Sequence, residues 1–278
     1  VFARTAEEAE ALREAGIAFE IVPGITAALA AGSYAGIPIT HRRYASAVAL
    51  VTGHEEPDKD ESALDWDALA RFPGTLVVYM GVTTAAAWTS ALMKAGKSGD
   101  TPAAILRRCS LPDQQTVHCR LDEVAALLTP ASKMRPPVIV IIGEVTRLAH
   151  SMSWFDCRPL FGQTVLVTRS QQQADELAQP LQSLGAEVIS QPAIEIQPLQ
   201  SFEQLDREIA RLSEYDYLVF SSRNGVEHFM KRFLDVVGDV RDLAWTKIAV
   251  VGPRTADMLA TFHIRADVVA EAMSAESL

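Results

Sequence analysis

Residues 22–42 read VPGITAALAAGSYAGIPITHR, and this stretch decides the fold of the first half of the chain. The apolar residues 18–22 predict a buried strand, and Pro23-Gly24 predicts a sharp turn after it. Thr26 is a residue type that caps helix N-termini, and the small residues that follow predict a helix ending near Gly36. Such a strand, turn and helix start would let a ligand approach the backbone, where free N–H groups can hold an anionic or polar group. An ordinary junction between a strand and a helix is the alternative.

Composition limits the class of protein. The chain has 278 residues, of which 49% are hydrophobic and 22% charged, typical of a globular protein with room for two domains. The net charge of −10 argues against a nucleic-acid partner. No apolar run approaches the roughly 18 residues of a membrane span, so we expect no membrane association. Cys109, Cys119 and Cys157 are odd in number and widely spaced. We therefore expect neither disulfides nor a metal site, and a reducing cytoplasm as the location.

Strand-like and helix-like segments alternate along the whole chain, which predicts an α/β fold with largely parallel sheets. In the first half, strands are predicted at 18–22, 47–52, 75–80, 103–106 and 138–142. The pattern changes over residues 150–159, an irregular stretch in which Trp154-Phe155 and Pro159 mark a boundary. A second, doubly wound α/β alternation follows, with strands predicted at 165–168, 187–190, 217–221, 247–251 and 266–269. We therefore predict two domains, residues 1–157 and residues 158–278.

The first half resembles the S-adenosylmethionine-dependent tetrapyrrole methylases, above all the uroporphyrinogen-III C-methyltransferases. The resemblance rests on residues 22–42, on TGH at 52–54, YMG at 79–81, TPAA at 101–104 and PVIV at 137–140. The start of the chain, VFARTAEE, is similar to VFGRGGEE in the family, with alanine and threonine in place of glycines. No Gly-x-Gly triplet occurs, so the glycine loops of Rossmann dinucleotide-binding proteins and of common methyltransferases are absent. The resemblance implies the αβα architecture of the tetrapyrrole methylases.

The same resemblance implies roles for individual residues. Positions that contact S-adenosylmethionine in the family fall on Val1, Thr26, Ala27, Met80, Ala103, Cys109 and Pro137; at Cys109 the family usually has glycine. Arg4 falls on the active-site arginine, and we expect it to steer a substrate carboxylate, to assist proton removal, or both. His41, Arg42 and His54 are predicted on the substrate side. The alternatives are a solvated arginine at a helix start and ordinary surface side chains. Catalysis would come mainly from positioning a pyrrole carbon against the sulfonium methyl group.

Three strand ends in the second half carry hydroxyl, amide and guanidinium groups, in VLVTR at 165–169, FSSRNGV at 220–226 and AVVGPRTA at 249–256. In open α/β sheets ligands bind at such strand ends, although three capped helices would have similar sequences. Together these segments resemble uroporphyrinogen-III synthase over residues 161–278. The resemblance implies that five residues face the cleft that binds hydroxymethylbilane: Thr168, Arg169, Ser222, Asn224 and Thr255. No acid–base pair is evident in this half.

The two resemblances predict a bifunctional enzyme of sirohaem and cobalamin biosynthesis. The second half would close hydroxymethylbilane to uroporphyrinogen III, and the first half would methylate that product to precorrin-2. S-adenosylmethionine would be the methyl donor, with no metal and a homodimer formed through the methylase half. The alternatives are a methyltransferase for a later precorrin and a non-catalytic fusion that only binds tetrapyrroles. Family segments that complete both active sites are expected before Val1 and after Leu278.

Overall fold

The computed structural model describes residues 5–54, 63–129, 131–132, 134–197 and 199–270. The chain divides into two units, Val1–Glu195 and Ile196–Leu278, and each is described by itself. Helices and strands alternate in both units, so the predicted α/β class is confirmed. The predicted domain boundary after residue 157 concerns the place where one family resemblance gives way to the other. The division of the structure after Glu195 does not test that boundary, which therefore stays a prediction.

A five-stranded mixed sheet is the centre of the first unit. Its strands are β1 (Val48–Thr52), β2 (Thr75–Tyr79), β3 (Pro102–Arg107), β4 (Gln115–Arg120) and β5 (Val138–Ile142). Their spatial order is β1-β2-β5-β3-β4, with β1 parallel to β2 and the other three pairings antiparallel. The prediction of largely parallel sheets is wrong here. Only residues 108–114 separate β3 from β4, and a parallel connection needs a crossover of a dozen or more residues.

The first helix, α1 (Thr5–Glu14), has no buried residue. The two faces of the sheet are covered by other helices: α2 (Ala27–Tyr34), α3 (Trp66–Arg71), α4 (Ala85–Lys94), α5 (Val124–Leu127) and α6 (Ala149–Met152). Successive strand residues face opposite sides, so Leu76 and Val77 of β2 enter different cores. Leu76 packs in the core that contains Trp88 of α4, whereas Val77 packs in the core that contains Ala28 of α2. β2 is therefore buried on both faces, which explains the apolar run Leu-Val-Val at its centre.

The predicted buried strand at residues 18–22 is wrong. Residues 17–26 have no regular secondary structure, and Ile21 and Val22 are 52% and 80% exposed. Within the described residues no strand pairs with this segment, and β structure needs a hydrogen-bonded neighbour. The helix predicted after it is confirmed as α2, with Thr26 at the N-cap position.

Parallel pairing is confirmed for the strands of the second half. In the first unit, β6 (Thr164–Val167) pairs in parallel with β7 (Glu187–Ser190), and α7 (Gln171–Ser183) connects them. The second unit contains a three-stranded parallel sheet in the order β10-β9-β8. Its elements are α8 (Glu203–Ala210), β8 (Tyr217–Phe220), α9 (Arg223–Val237), β9 (Lys247–Val251), α10 (Pro253–Ala260) and β10 (Val268–Ala270). Met230 and Phe233 of α9 pack with Val250 and Leu259 in its core.

Candidate functional site

A cavity of about 700 Å³ lies in the first unit, at one edge of the five-stranded sheet. The C-terminal ends of β2 and β3 meet the start of β5 at this edge, because antiparallel pairing places Ile139 beside both Tyr79 and Leu106. The lining residues are Ala27, Ala30, Ala31, Tyr79, Met80, Val82, Thr83, Leu106, Arg108, Cys109, Ser110, Leu111, Pro136, Pro137, Val138 and Ile139. Most of these side chains are apolar and only a few are polar, which is typical of a site for a small organic molecule.

Tyr79 fixes the helix start that forms one wall of this cavity. Its hydroxyl oxygen accepts a hydrogen bond of 2.7 Å from the backbone N–H of Ala28, and the same hydroxyl group bonds with the hydroxyl of Thr26. Thr26 has extended backbone geometry at the N-cap, but its side chain makes no capping bond to the helix. The Tyr79 hydroxyl therefore binds the Ala28 N–H, which was predicted from the sequence to be free for a ligand. Ala27 lines the cavity, and Thr26 supports the wall through Tyr79.

Met80 is held at the cavity by a tight turn at the end of β2. Its φ of 52° lies in the left-handed region, which side-chain-bearing residues rarely adopt. The turn packs directly on the end of β1, since a Cβ added to Gly53 would lie 2.6 Å from the Cα of Gly81. Trp88 completes the packing, because its Nε1–H donates to the Gly81 carbonyl oxygen at 2.8 Å. Glycine is therefore required where the two strand ends touch.

The loop of residues 108–111 forms the wall next to β3. Arg108 and Ser110 have φ values of 50° and 75°, so two left-handed residues lie close together in this loop. The Arg108 side chain donates from Nε to Asp113 Oδ1 at 2.8 Å. Gln114 is only 6% exposed, and its Oε1 accepts the backbone N–H of Ser110 at 3.0 Å. These contacts give the loop a defined shape beside the cavity.

Cys109 lines the cavity between these two residues. The left-handed geometry falls on its neighbours, so cysteine fits at this position where the resembling family usually has glycine. Burial raises the pKa of the Cys109 thiol to about 11. The thiol is therefore protonated near neutral pH, and a protonated thiol is a poor nucleophile.

Several predicted residues of the first half lie elsewhere. Ala103 is 1% exposed and lies at a second cavity of about 710 Å³, which is also lined by His118, Cys119, His150 and Asp156. His41 stacks on Tyr44, and its Nδ1 accepts the backbone N–H of Arg43 at 3.2 Å. Arg42 and His54 are exposed. Neither they nor His41 line the first cavity. Val1 and Arg4 lie outside the described residues.

The predicted residues of the second half follow strand ends, as expected. Thr168 and Arg169 are exposed after β6 in the first unit. In the second unit, Ser222 and Thr255 follow the C-terminal ends of the neighbouring parallel strands β8 and β9. Ser222 caps α9 by accepting the Gly225 N–H at 3.1 Å, and Asn224 lies in the first turn of that helix. Thr255 is only 4% exposed, so it lies beneath the surface rather than on it.

The sequence motifs do not reveal the roles of Tyr79, Ser110 and Gln114. A tyrosine at the end of an otherwise apolar strand is a usable signal, since a buried tyrosine hydroxyl needs a partner. Gln114 gave no comparable signal, because a glutamine between two strands is ordinarily exposed. Within the described residues, no cluster of three or more histidine, cysteine or acidic side chains could hold a metal ion. None of the helices described here has the length and hydrophobicity needed to cross a membrane.

Comparisons with known proteins match both halves of the chain. Residues 1–125 match the family model of tetrapyrrole (corrin/porphyrin) methylases, and residues 175–278 match that of uroporphyrinogen-III synthase HemD. The chain is 36% identical over 274 residues to the porphyrin biosynthesis protein HemD of Ruminiclostridium josui, a match covering 98% of this chain and 53% of that protein.

Two relatives named as methyltransferases are also similar. The uroporphyrinogen-III C-methyltransferase of Bacillus subtilis (strain 168) is 35% identical over 243 residues, which is 87% of this chain and 49% of that protein. The S-adenosyl-L-methionine-dependent uroporphyrinogen III methyltransferase of Methanosarcina barkeri (strain Fusaro / DSM 804) is 47% identical over 148 residues, 53% of this chain and 58% of that protein. The chain thus spans about half the length of the curated relatives it matches.

Proposed function

Because the chain joins a tetrapyrrole methylase region to a uroporphyrinogen-III synthase HemD region, we propose that it acts in a bifunctional enzyme that makes and then methylates uroporphyrinogen III. The HemD region closes hydroxymethylbilane, and the methylase region converts the product to precorrin-2. The pairing supports this substrate over a later precorrin, since the product of one half is then the substrate of the other. The names of the Bacillus and Methanosarcina relatives support the same step.

One observation carries the assignment of the methyl-donor site. Ala27, Met80, Cys109 and Pro137 are far apart in the sequence, and each falls on a family position next to S-adenosylmethionine. All four line the cavity of about 700 Å³. The mainly apolar walls suit an adenosyl group, and the turn at Met80 and the loop of residues 108–111 supply polar backbone groups. We propose that this cavity binds S-adenosylmethionine.

S-adenosylmethionine supplies an electrophilic methyl group on a sulfonium centre. A pyrrole carbon of the substrate attacks it in line, the carbon–sulfur bond breaks, and a proton then leaves the substrate. The apolar cavity walls hold the donor and exclude water, so positioning provides most of the catalysis. Cys109 does not compete for the methyl group, because its thiol stays protonated at neutral pH. Arg4 binds a substrate carboxylate in this proposal, and His41, Arg42 and His54 contribute on the substrate side.

In the HemD region, Thr168, Arg169, Ser222 and Asn224 are the proposed hydrogen-bond donors for the carboxylates of hydroxymethylbilane. Thr255, which the resemblance places in the same cleft, is buried in the first turn of α10 and is therefore not among these donors. We also propose a cytoplasmic homodimer formed through the methylase half. Light scattering coupled to size-exclusion chromatography tests the dimer, and a monomer at micromolar concentration would contradict it.

The decisive experiment mixes the full-length protein with uroporphyrinogen III and S-adenosylmethionine and follows products by mass spectrometry. We expect dimethylated product from the wild type. Ala27→Trp fills the cavity beside α2 and should abolish both methylation and binding of S-adenosylhomocysteine. Ala87→Trp, at an exposed position in the first turn of α4, is the matched control and should retain both. Wild-type protein that methylates a later precorrin but leaves uroporphyrinogen III unchanged would refute the substrate assignment.

A further inference from the structure

We infer that Gln114 is a positioning residue, whose buried side-chain amide holds Ser110 in left-handed geometry and thereby sets the shape of the cavity wall that contacts the methyl donor. Gln114 itself lies behind the wall and does not line the cavity. The inference rests on the proposed function of this cavity as the S-adenosylmethionine site.

Both ends of the Gln114 amide are used. Oε1 accepts the backbone N–H of Ser110 at 3.0 Å, and Nε2 donates to the backbone carbonyl of Tyr34 at 3.1 Å. Ser110 lines the cavity, and Tyr34 is the last residue of α2, whose first residue Ala27 lines the cavity as well. One buried side chain therefore connects two parts of the cavity lining, the loop of residues 108–111 and helix α2.

The loop needs such a restraint because its backbone is unfavourable. Arg108 and Ser110 have φ values of 50° and 75°, and a residue with a Cβ keeps this geometry only where its surroundings fix it. Backbone bonds contribute, from the Leu111 N–H to the Arg108 carbonyl at 3.2 Å and from the Gln114 N–H to the Leu111 carbonyl at 3.0 Å. These two bonds close the loop but do not engage the Ser110 N–H. The Ser110 N–H instead donates to Oε1 of the Gln114 side-chain amide.

A merely space-filling role for Gln114 makes a different prediction. Methionine has a similar length and no hydrogen-bonding amide, so Gln114→Met would preserve packing while releasing Ser110. Glycine adopts left-handed geometry without penalty, so Ser110→Gly should restore the loop in a protein that lacks the amide. Rescue by Ser110→Gly is therefore specific for positioning, because a packing defect at residue 114 would remain.

The experiment uses the full-length protein and measures two quantities, S-adenosylhomocysteine affinity by calorimetry and amide hydrogen exchange at residues 108–114 without ligand. We expect Gln114→Met to weaken binding about tenfold, the equivalent of one lost hydrogen bond, and to accelerate exchange at Ser110. Adding Ser110→Gly should recover most of the affinity. Thr89→Val is the matched control, since it removes a buried side-chain bond to the Ala85 carbonyl on α4 and should leave both quantities unchanged.

Binding of Gln114→Met within twofold of wild type, with unchanged exchange at Ser110, would overturn the inference. If that variant does not fold, Ser110→Pro replaces it. Ser110 is exposed, and proline excludes a positive φ and lacks the N–H, so retained affinity in this variant would also overturn the inference. If wild-type protein binds no S-adenosylhomocysteine, the proposed function fails. Accelerated exchange in Gln114→Met would then still support the restraint on the loop, and unchanged exchange would overturn it.

Discussion

Replacing Tyr79 with phenylalanine removes one hydroxyl group from the cavity wall and leaves the ring in place. In the structure that hydroxyl accepts the Ala28 N–H at 2.7 Å, and Ala28 is fully buried. An unsatisfied buried N–H costs about 1–3 kcal/mol, and loss of an N-terminal helix cap costs about 1 kcal/mol. Both figures describe the same bond, so we expect the free energy of unfolding of the first unit to fall by about 2 kcal/mol. For a unit of this size the melting temperature should fall by about 4–8 °C.

Scanning calorimetry on the full chain measures this change. Tyr44→Phe is the control with the same chemistry, because Tyr44 is 44% exposed and its loss of a hydroxyl should cost less than about 0.5 kcal/mol. Thr26→Val removes a second bond of the Tyr79 hydroxyl, so the double variant should lose less stability than the sum of the two single variants. A melting temperature for Tyr79→Phe within about 1 °C of wild type would refute this account of the helix start, given the shift that one buried bond should cause.

Three further predictions concern other contacts. Gly53→Ala should lower the free energy of unfolding of the first unit in urea by about 1–3 kcal/mol, because the added Cβ would lie 2.6 Å from the Cα of Gly81. Unchanged stability would contradict the close packing of the two strand ends. Burial raises the pKa of the Cys109 thiol to about 11, so its alkylation, followed by mass spectrometry, should be slow at neutral pH. The alkylation rate should rise about tenfold per pH unit up to that value and should be well below the rate at the exposed Cys157. Hydrogen bonds of 2.7 and 2.6 Å from Arg232 lower the pKa of the Asp206 carboxyl. Their contribution is present above the ordinary carboxyl pKa and is lost as the pH falls through the lowered value. Arg232→Met should therefore lower the urea midpoint of the second unit at neutral pH, and its difference from wild type should shrink in acid. An equal difference at both pH values would show that the ion pair is not its source.

The sequence predicts those elements whose pattern is set locally. β5 was predicted with its observed bounds, because the run VIVII is long enough and apolar enough for a strand buried on both faces. β4 was missed, since QTVHCR mixes polar and apolar residues and has no clear period. Residues 18–22 show the opposite error. Their apolar pattern is that of a strand, but within the described residues no neighbour pairs with them.

The candidate site likewise contains some residues that the sequence predicts and others that it does not. The resemblance points to Ala27, Met80 and Pro137 through short motifs, and all three line one cavity in the structure. The bond between Tyr79 and Ala28 joins residues 51 positions apart, so no local pattern could predict it. The burial of Gln114 likewise depends on how the loop after β3 packs against the end of α2. Hydrogen bonds behind a site can be predicted only when the tertiary fold is known.

The strand order of the first sheet has a consequence for the synthesis of the chain. β5 lies between β2 and β3 but is the last of the five strands to be made. β2 therefore waits for about 60 further residues, roughly 3–12 s at a translation rate of ~5–20 residues per second, before its antiparallel neighbour exists. Until then the cavity lacks the wall that Pro136, Pro137, Val138 and Ile139 form, so a nascent chain that stalls before residue 136 has only part of the cavity. Ligand binding can stabilise the finished sheet, but it cannot guide the early steps of folding on the ribosome.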